Sequence, residues 1–251
     1  MKNHAPRCIL STLEPIGVVR TCFGGKFGVP RQPGLSPSAW GRLIFHAPFR
    51  TPDAVRGLEG FSHVWLIWHL HQTADRGWSP TVRPPRLGGN KRVGVFASRS
   101  THRPNALGLS LARLEGIEST SPDAPVLLLG GIDLIDGTPI FDIKPYLPYA
   151  ESPPDARAGY AEAAIPRLQV AIAPDAATAF AALPARAQSV IRESLALDPR
   201  PAARSGENVN APPTRGAHLC GHNIRFRTEG DQCEILEITA SPGAGDPHPP
   251  E

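Results

Sequence analysis

The segment VLLLGGIDLIDGTPIFDIKPYLPY, residues 126–149, combines two apolar runs with a turn sequence and four charged residues. A run of branched residues up to Ile135 is followed by a turn sequence, DGTP at 136–139, and by a second apolar run that ends among prolines. Short apolar runs bounded by Gly, Pro and Asp are typical of β-strands. An unpaired charge in an apolar setting is costly, yet the segment also holds Asp133, Asp136, Asp142 and Lys144. We therefore expect that these carboxylates either face solvent or line a site.

Five other segments share this composition and predict further strands. They are PIGVVR (15–20), RLIFH (42–46), HVWLIWHL (63–70), RVGVFAS (92–98) and LGLSLARL (107–114). Helix candidates are nearly absent before Ser152, apart from a turn around residues 52–58, so alternating βαβ units and a dinucleotide-type sheet are disfavoured. The first part of the chain is therefore predicted to be a β-barrel or a β-sandwich.

A change of composition at ESPPDARAGYAEAAIPR, residues 151–167, predicts a domain boundary. We predict a domain over residues 1–155, a small α+β domain over 156–240 and a disordered tail over 241–251. In the second domain, residues 175–197 carry apolar residues at helical spacing, with Asp175 as the candidate N-cap and Pro184 interrupting the first half. Residues 218–227 and 233–239 flank TEGDQ and predict a β-hairpin.

Composition and charge limit the classes of function. The chain has 251 residues, a net charge of +3 and four cysteines without a Cys-x-x-Cys pair. Neither a secretory leader nor a run long enough to span a membrane is present, so we expect a soluble, cytoplasmic protein with reduced thiols. Eight basic residues lie between Arg76 and Arg113, and no acid follows them before Glu115. This basic block predicts attraction to phosphates, although a merely solvated basic face is the alternative.

Several ordered motifs together resemble the TrmO (YaeB/TsaA-like) family over about residues 15–227. The motifs are PRQPG (30–34), HQT (71–73), PTVRPPRLGG (80–89), RSTHRPN (99–105) followed by GLS (108–110), DLIDGTPIFDIKPY (133–146) and DPRP (198–201). The resemblance implies a mainly β chain, with a single-sheet β-barrel as its N-terminal domain and a small α+β C-terminal domain, working as a homodimer. It also implies methylation, dependent on S-adenosyl-L-methionine, of N6 of N6-threonylcarbamoyladenosine next to the anticodon in tRNA.

The resemblance also implies the cofactor contacts, carried over motif by motif. They are Gln32, Pro33, Gly34, Leu35, His71, Gln72, Arg99, Leu109, Gly131, Ile132, Asp133 and Leu134. The Gly and Pro residues of these loops allow backbone groups to approach a flat adenine ring closely, so we expect the backbone to recognise the adenine.

Methyl transfer from a sulfonium to nitrogen requires an in-line geometry and, for a nitrogen that carries a proton, a general base. We therefore expect Asp133 or Asp136 to be the catalytic base or the group that compensates the sulfonium charge. Asp142 and Lys144 are expected to pair or to brace the second strand.

For RNA binding, the candidates are Arg103, Lys144 and Arg200. Arg200 and Arg204 follow the predicted helix in a loop suited to an anticodon loop. At this point the chain departs from the family, because Ala203 stands where the family usually has an aromatic residue. A stacking contact at that position is therefore not expected.

Two other functions stay open at the level of sequence. The basic block alone would suit an RNA-binding β-barrel without catalysis. His69 and His71 could belong to a metal-dependent hydrolase, but no third ligand has a recognisable spacing, so no metal is expected.

Overall fold

The computed structural model describes residues 13–199 and 213–241. Up to residue 145 its strands are β1 (Gly17–Thr21), β2 (Trp40–Phe45), β3 (His63–His69), β4 (Thr81–Val82), β5 (Val93–Gly94), β6 (Leu107–Glu118), β7 (Val126–Gly130) and β8 (Thr138–Pro145). Six of them close an antiparallel barrel in the order β1-β2-β7-β6-β3-β8. The prediction of a mainly β chain with an N-terminal barrel is confirmed, and the sandwich is excluded.

The barrel interior is filled by alternate side chains of these strands. Successive side chains of a strand point to opposite faces of the sheet, and the inward positions are fully buried: Val19, Leu43, Leu66, Leu127, Leu129 and Ile140. Burying an aliphatic side chain of this size contributes about 1.5–3 kcal/mol. The barrel is therefore a packed core, and a ligand site has to lie at its rim.

The predicted strand over residues 126–135 is wrong in its second half. β7 ends at Gly130, and residues 131–135 leave the sheet. Gly131 has φ +66°, its N–H donates to the Ala39 carbonyl at 2.8 Å, and its carbonyl accepts the Gly34 N–H at 2.7 Å. The chain then turns at Asp136–Gly137 and re-enters the barrel at Thr138, as the DGTP turn predicts.

The prediction for residues 92–98 is also wrong in part, since only Val93–Gly94 is a strand. It pairs with β4 in a separate two-stranded sheet, and the following Val95–Ala97 forms a 3-10 turn. The turn expected around residues 52–58 is present as two 3-10 turns, Pro52–Val55 and Leu58–Gly60.

The second part of the chain is a mixed sheet covered by two helices. After the single-turn helix α1 (Pro148–Glu151) come β9 (Gln169–Ile172), α2 (Pro174–Ala181), α3 (Ala185–Ala196), β10 (Arg215–Leu219), β11 (His222–Glu229) and β12 (Gln232–Ala240). The sheet order is β10-β11-β12-β9, with β9 parallel to β12. The α+β prediction and the β11–β12 hairpin are confirmed, and β9 was not predicted. The strand predicted over residues 218–227 is wrong at its start, because His218 and Leu219 end β10 and the chain turns at 220–221 before β11 begins.

The single helix predicted over residues 175–197 is two helices. Pro184 is the N-cap of α3, because proline cannot continue a helix yet suits its start. Asp175 is not the N-cap of α2: Ala173 holds that position, and Asp175 lies in the first turn. There its charge still complements the helix dipole.

The N-terminal barrel and the C-terminal sheet are joined by backbone contacts. The Cys220 N–H donates to the Cys22 carbonyl at 2.7 Å, and the Gly24 N–H donates to the His218 carbonyl at 3.1 Å. The guanidinium of Arg186 on α3 lies 5.7 Å from the ring centroid of the fully buried Trp40. The first residues after β1 are thereby held by the C-terminal unit.

Three expectations cannot be placed. Arg200, Ala203 and Arg204, and all but the first residue of the predicted disordered tail, lie outside the described residues. Within residues 13–199 and 213–241, none of the helices has the length and apolar character needed to cross a membrane.

Candidate active site at the barrel rim

Two of the predicted cofactor loops pack against each other through their glycines. Besides the Gly34–Gly131 hydrogen bond, both residues have left-handed backbones, with φ +77° and +66°. A Cβ added at Gly131 would lie 3.6 Å from the Gly34 Cα. Side chains rarely adopt this backbone conformation, so the glycines in PRQPG and GGID meet a local structural requirement and place the two loops side by side.

Asp133 is the distinctive carboxylate of this rim. Its Oδ1 is buried and has no hydrogen-bond partner among the residues that the structure describes. Burial raises the pKa of Asp133 to about 6, against the opposing effects of the Ser110 hydroxyl and the Arg99 guanidinium. A buried carboxylate oxygen without a partner is costly. The position is therefore suited to a ligand that carries a positive charge or a hydrogen-bond donor.

Ser110 and Trp68 form the wall beside Asp133, and sequence reasoning did not assign either residue to the site. The Trp68 Nε1–H donates to Ser110 Oγ at 3.0 Å, and the Ser110 hydroxyl acts on Asp133. Ser110 is 1% exposed. The available signal was the GLS motif, where a hydroxyl interrupts the otherwise apolar inner face of β6.

Arg99, Gln32 and Leu109 are at the same rim. The Arg99 Nη1–H donates to Gln32 Oε1, and the charge of Arg99 acts on Asp133. Leu109 is 52% exposed although it is a large apolar residue on a barrel strand. Leu109 directly precedes the inward-facing Ser110, so its side chain points to the outer face of β6. The cation and the amide near a buried carboxylate form a surface suited to a small zwitterionic ligand.

His71 and Gln72 reach the rim on the loop that follows β3. That loop is tied to the Arg99 loop, since the Leu70 N–H donates to the Ala106 carbonyl at 2.8 Å and Thr73 Oγ1 donates to the Thr101 carbonyl at 3.0 Å. The four predicted cofactor segments are therefore brought to one end of the barrel. Contacts of His71 and Gln72 with a ligand stay a prediction.

The structure restricts how two predicted cofactor residues can act. The side chains of Ile132 and Leu134 are buried in the core, at 0% and 1% exposure, so they cannot line a ligand. Only their backbone groups can, and the Ile132 and Leu134 N–H groups donate to no carbonyl of the described residues. This arrangement fits the expected backbone recognition of an adenine.

Asp136 has a different environment from Asp133. Its Oδ1 accepts the Thr21 N–H at 2.8 Å and the Arg20 Nε–H at 2.9 Å. These bonds fix the turn to the end of β1. The geometry gives Asp136 a structural role, and it does not support the alternative that Asp136 is the base.

The predicted RNA-binding residues do not form one group. Arg103 donates to the carbonyls of Val95 at 3.2 Å and Ser98 at 2.7 Å, so its guanidinium braces a loop. Lys144 is exposed, and its Nζ lies 3.5 Å from Asp142 Oδ2, as the pairing hypothesis states. It is six residues, roughly 20 Å, along β8 from the Thr138 end. Arg200 is outside the described residues.

The two histidines of the hydrolase alternative do not converge on a metal site. His71 Nδ1 lies 3.4 Å from the His69 carbonyl, and the His69 ring packs against Phe141 with centroids 5.6 Å apart. Among residues 13–199 and 213–241 no three His, Cys, Asp or Glu side chains are grouped to hold a metal ion. The geometry gives this alternative no support.

A cavity of about 660 Å³ lies on another part of the barrel, away from Asp133. Its wall comes from residues 52–61 and from the far end of β6, and includes Phe61, Leu114, Ile117 and Pro125. None of the predicted site residues lines it. The acidic residues in its wall, Asp53, Glu59 and Glu115, do not have the buried carboxylate oxygen without a partner that is found at Asp133.

Helix α3 holds the first cofactor loop from outside the barrel. Glu193 accepts the Ser36 hydroxyl at 2.8 Å, the Ser38 N–H at 3.0 Å and the Ser38 hydroxyl at 2.8 Å. Arg167 Nη2 donates to the Leu35 carbonyl at 2.9 Å. The loop that carries Gly34 is therefore fixed by the C-terminal unit, a contact that the sequence motifs do not indicate.

Comparison with known proteins agrees with this arrangement. The family model for the tRNA-methyltransferase O N-terminal domain matches residues 18–152, and the model for the TrmO C-terminal domain matches residues 165–241. The chain is 48% identical over 229 residues, 90% of this chain and 96% of the relative, to the tRNA (adenine(37)-N6)-methyltransferase of Escherichia coli. It is 47% identical over 200 residues, 78% of this chain and 84% of the relative, to a putative S-adenosylmethionine-dependent methyltransferase, RcsF, of Pseudomonas aeruginosa.

A solved structure has the same fold over nearly the whole chain. The crystal structure of TrmO from Pseudomonas aeruginosa superposes with a TM-score of 0.74 and 36% identity, covering 94% of this chain and all of the solved one.

Proposed function

The chain belongs to the tRNA-methyltransferase O family, and we propose that its target is N6 of N6-threonylcarbamoyladenosine next to the anticodon of tRNA. It is an enzyme, an S-adenosylmethionine-dependent tRNA methyltransferase, as its relatives are. The threonylcarbamoyl group on the target comes from the family resemblance. The metal-dependent hydrolase and the non-catalytic RNA-binding barrel gain no support from these relatives.

One observation supports the placement of the chemistry: the buried Asp133 Oδ1 has no hydrogen-bond partner among the described residues, while the Ser110 hydroxyl and the Arg99 charge act on the same carboxyl. S-adenosylmethionine supplies a methyl group on a cationic sulfonium. An anionic carboxylate in a poorly solvated site interacts strongly with such a charge. The residues present therefore fit the cofactor: Asp133 would compensate the charge of its sulfonium, and Arg99 would bind its carboxylate.

We assign the loops the following roles. Gly34 and Gly131 let the Gln32–Leu35 segment and the Gly131–Leu134 segment approach a flat adenine through their backbones. Leu109 supplies an apolar contact, and His71 and Gln72 close the rim. Holding the two reacting groups in line can lower a barrier by about 7–11 kcal/mol, so the positioning by these loops accounts for most of the catalysis.

Asp133 is the catalytic residue in this proposal. The acceptor nitrogen carries one hydrogen, and the methyl–nitrogen bond forms as the methyl–sulfur bond breaks. Asp133 takes the proton from that nitrogen and returns it to solvent. A pKa of about 6 leaves the carboxylate ionised at neutral pH and close to the operating pH, which suits a general base.

The domain division and assembly are further parts of the proposal. Residues 1–155 form the catalytic barrel, residues 156–240 contact tRNA, and 241–251 is a tail. The family resemblance supports a homodimer, and a tRNA substrate supports action in the cytoplasm.

The test is methyl transfer by the purified protein. tRNA carrying threonylcarbamoyladenosine is incubated with S-adenosylmethionine, and nucleosides are analysed by mass spectrometry. We expect one added methyl on the threonylcarbamoyladenosine. A tRNA transcript without the modification is the control, and methylation of both tRNAs alike, or of neither, contradicts the proposed target.

A further inference from the structure

Residues 76–98, named the basic ribbon, form an element outside the barrel sheet. In it, Thr81 pairs with Gly94 and Val82 with Val93. Val95, which is 1% exposed, anchors its base, and Arg103 holds that base through its bonds to the Val95 and Ser98 carbonyls. The ribbon therefore projects from a fixed base.

The ribbon carries positive charge without compensation. It contains no Asp or Glu, and its five exposed cationic residues form no ion pair with the acids of the described chain: Arg76, Arg83, Arg86, Lys91 and Arg92. Elsewhere, exposed arginines such as Arg56, Arg225 and Arg227 do have acidic partners. An uncompensated cationic surface of this kind attracts a polyanion.

Two large aromatic side chains stand at the base of the ribbon. Trp78 is 54% exposed and Phe96 is 77% exposed. The Thr81–Gly94 pairing and the bond from the Val95 N–H to the Pro80 carbonyl, at 3.0 Å, put these residues on opposite arms at nearly the same level. Exposed rings among unpaired cations match single-stranded RNA, whose bases stack on aromatic faces while its phosphates contact Arg and Lys.

The ribbon is continuous with the candidate active site. Arg99, three residues after Phe96, bonds to Gln32 and acts on Asp133. An adenine whose N6 reaches Asp133 has left the stack of its loop, so each nucleotide beside it has one base face free for another ring. Arg99 thus connects the base of the ribbon, which carries Trp78 and Phe96, with the candidate active site.

We propose that the basic ribbon binds the anticodon loop, with Trp78 and Phe96 stacking on nucleotides beside the target adenine and with Arg83, Arg86 and Lys91 contacting phosphates. This inference rests on the proposed function, because it takes tRNA as the substrate. It assigns the ribbon a role in substrate recognition, separate from cofactor binding.

The first test removes the rings. The double variant Trp78→Ala/Phe96→Ala is compared with Tyr149→Ala, which removes an aromatic residue of 88% exposure beyond the other end of β8. tRNA affinity is measured by fluorescence anisotropy, cofactor affinity by calorimetry and size by sedimentation. We expect about 10- to 100-fold weaker tRNA binding in the double variant, with cofactor affinity and size unchanged, and no change for Tyr149→Ala.

The second test separates charge from stacking. In Arg83→Gln/Arg86→Gln the slope of log affinity against log salt should become less steep by about 1 to 2. The variant neutralises fewer phosphates, so its binding to tRNA releases fewer counterions. The aromatic variant should keep the wild-type slope. Arg56→Gln, an exposed arginine paired with Asp53, is the control and should keep both affinity and slope.

The outcomes distinguish the two proposals. If the wild type methylates tRNA and the aromatic double variant binds tRNA as tightly as the wild type, the ribbon proposal is wrong while the proposed function stands. If the double variant sediments as a smaller species than the wild type, the rings belong to a contact between copies of the chain, and the ribbon proposal is again wrong. A wild type that methylates no tRNA rejects the proposed function itself.

Discussion

Asp133 and Asp136 lie three residues apart on one loop, and their surroundings are opposite. Asp136 accepts hydrogen bonds from the Thr21 backbone and the Arg20 guanidinium, whereas Asp133 has a buried oxygen with no partner in the described part of the chain. The first carboxylate is satisfied by the fold alone. The second keeps one oxygen without a partner in the described chain, and this difference is why we propose Asp133, and not Asp136, as the catalytic residue.

The largest expected effect is on turnover. Asp133→Asn removes the base and keeps the shape, so we expect methyl transfer in single-turnover assays to fall about 100- to 10,000-fold. Asp136→Asn should stay within about threefold of the wild type, because that carboxylate makes no contact with the reacting groups. Wild-type turnover in Asp133→Asn would contradict the assignment of Asp133 as the general base.

The second effect is on stability as a function of pH. The pKa of Asp133 is raised in the folded state, to about 6 from 3.8, so the folded protein loses stability as pH rises through this interval. Asp133→Asn should therefore be more stable than the wild type at pH 7.5, by on the order of 1–3 kcal/mol. The difference should vanish below about pH 4. Chemical denaturation at several pH values measures it, and a difference independent of pH would contradict the assignment.

A third effect, on the free energy of unfolding independent of catalysis, is expected at Asp136. Asp136→Ala removes the acceptor of the Thr21 N–H and one partner of Arg20, and we expect a loss of about 1–3 kcal/mol in the free energy of unfolding. Arg20→Gln, at a half-exposed position, should lose no more than about 1 kcal/mol. Urea denaturation of both variants tests this order, and equal losses would mean that the backbone bond contributes little.

The smallest effect concerns the loop that faces Asp133. Glu193→Gln weakens the contacts that hold Ser36 and Ser38, so the KM for S-adenosylmethionine should rise by roughly 3- to 10-fold while kcat is kept. Glu237→Gln, whose carboxylate pairs with Arg225 on the C-terminal sheet, is the matched control. A fall in kcat with KM unchanged would show that α3 does not act through the cofactor loop.

The barrel could be predicted from the sequence because its strands are short, apolar and separated by turn residues. The end of β7 at Gly130 could not, since it depends on the bond that Gly131 donates to Ala39 and on the bond that it accepts from Gly34, and both partners are remote in sequence. The ribbon strand at Val93–Gly94 was assigned to the barrel for a similar reason. Local composition does not tell which partner strand a short apolar segment will find.

The sequence predicts which loops form the site, but it does not predict the role of each residue in them. The motifs locate Asp133, Gly131, Gly34 and Arg99, and these residues do converge. The sequence does not distinguish Asp133 from Asp136, because the partners that satisfy Asp136 belong to β1, more than a hundred residues earlier. Ser110, Trp68 and Glu193 were missed, since their contacts exist only in the folded chain.

The most direct measurement is a crystal structure of the protein with S-adenosylhomocysteine, the product form of the cofactor. We expect the ligand between the Gly34 and Gly131 loops, with its sulfur beside Asp133 and its carboxylate toward Arg99. Density for the ligand in the 660 Å³ cavity beside Phe61 and Leu114 would contradict it.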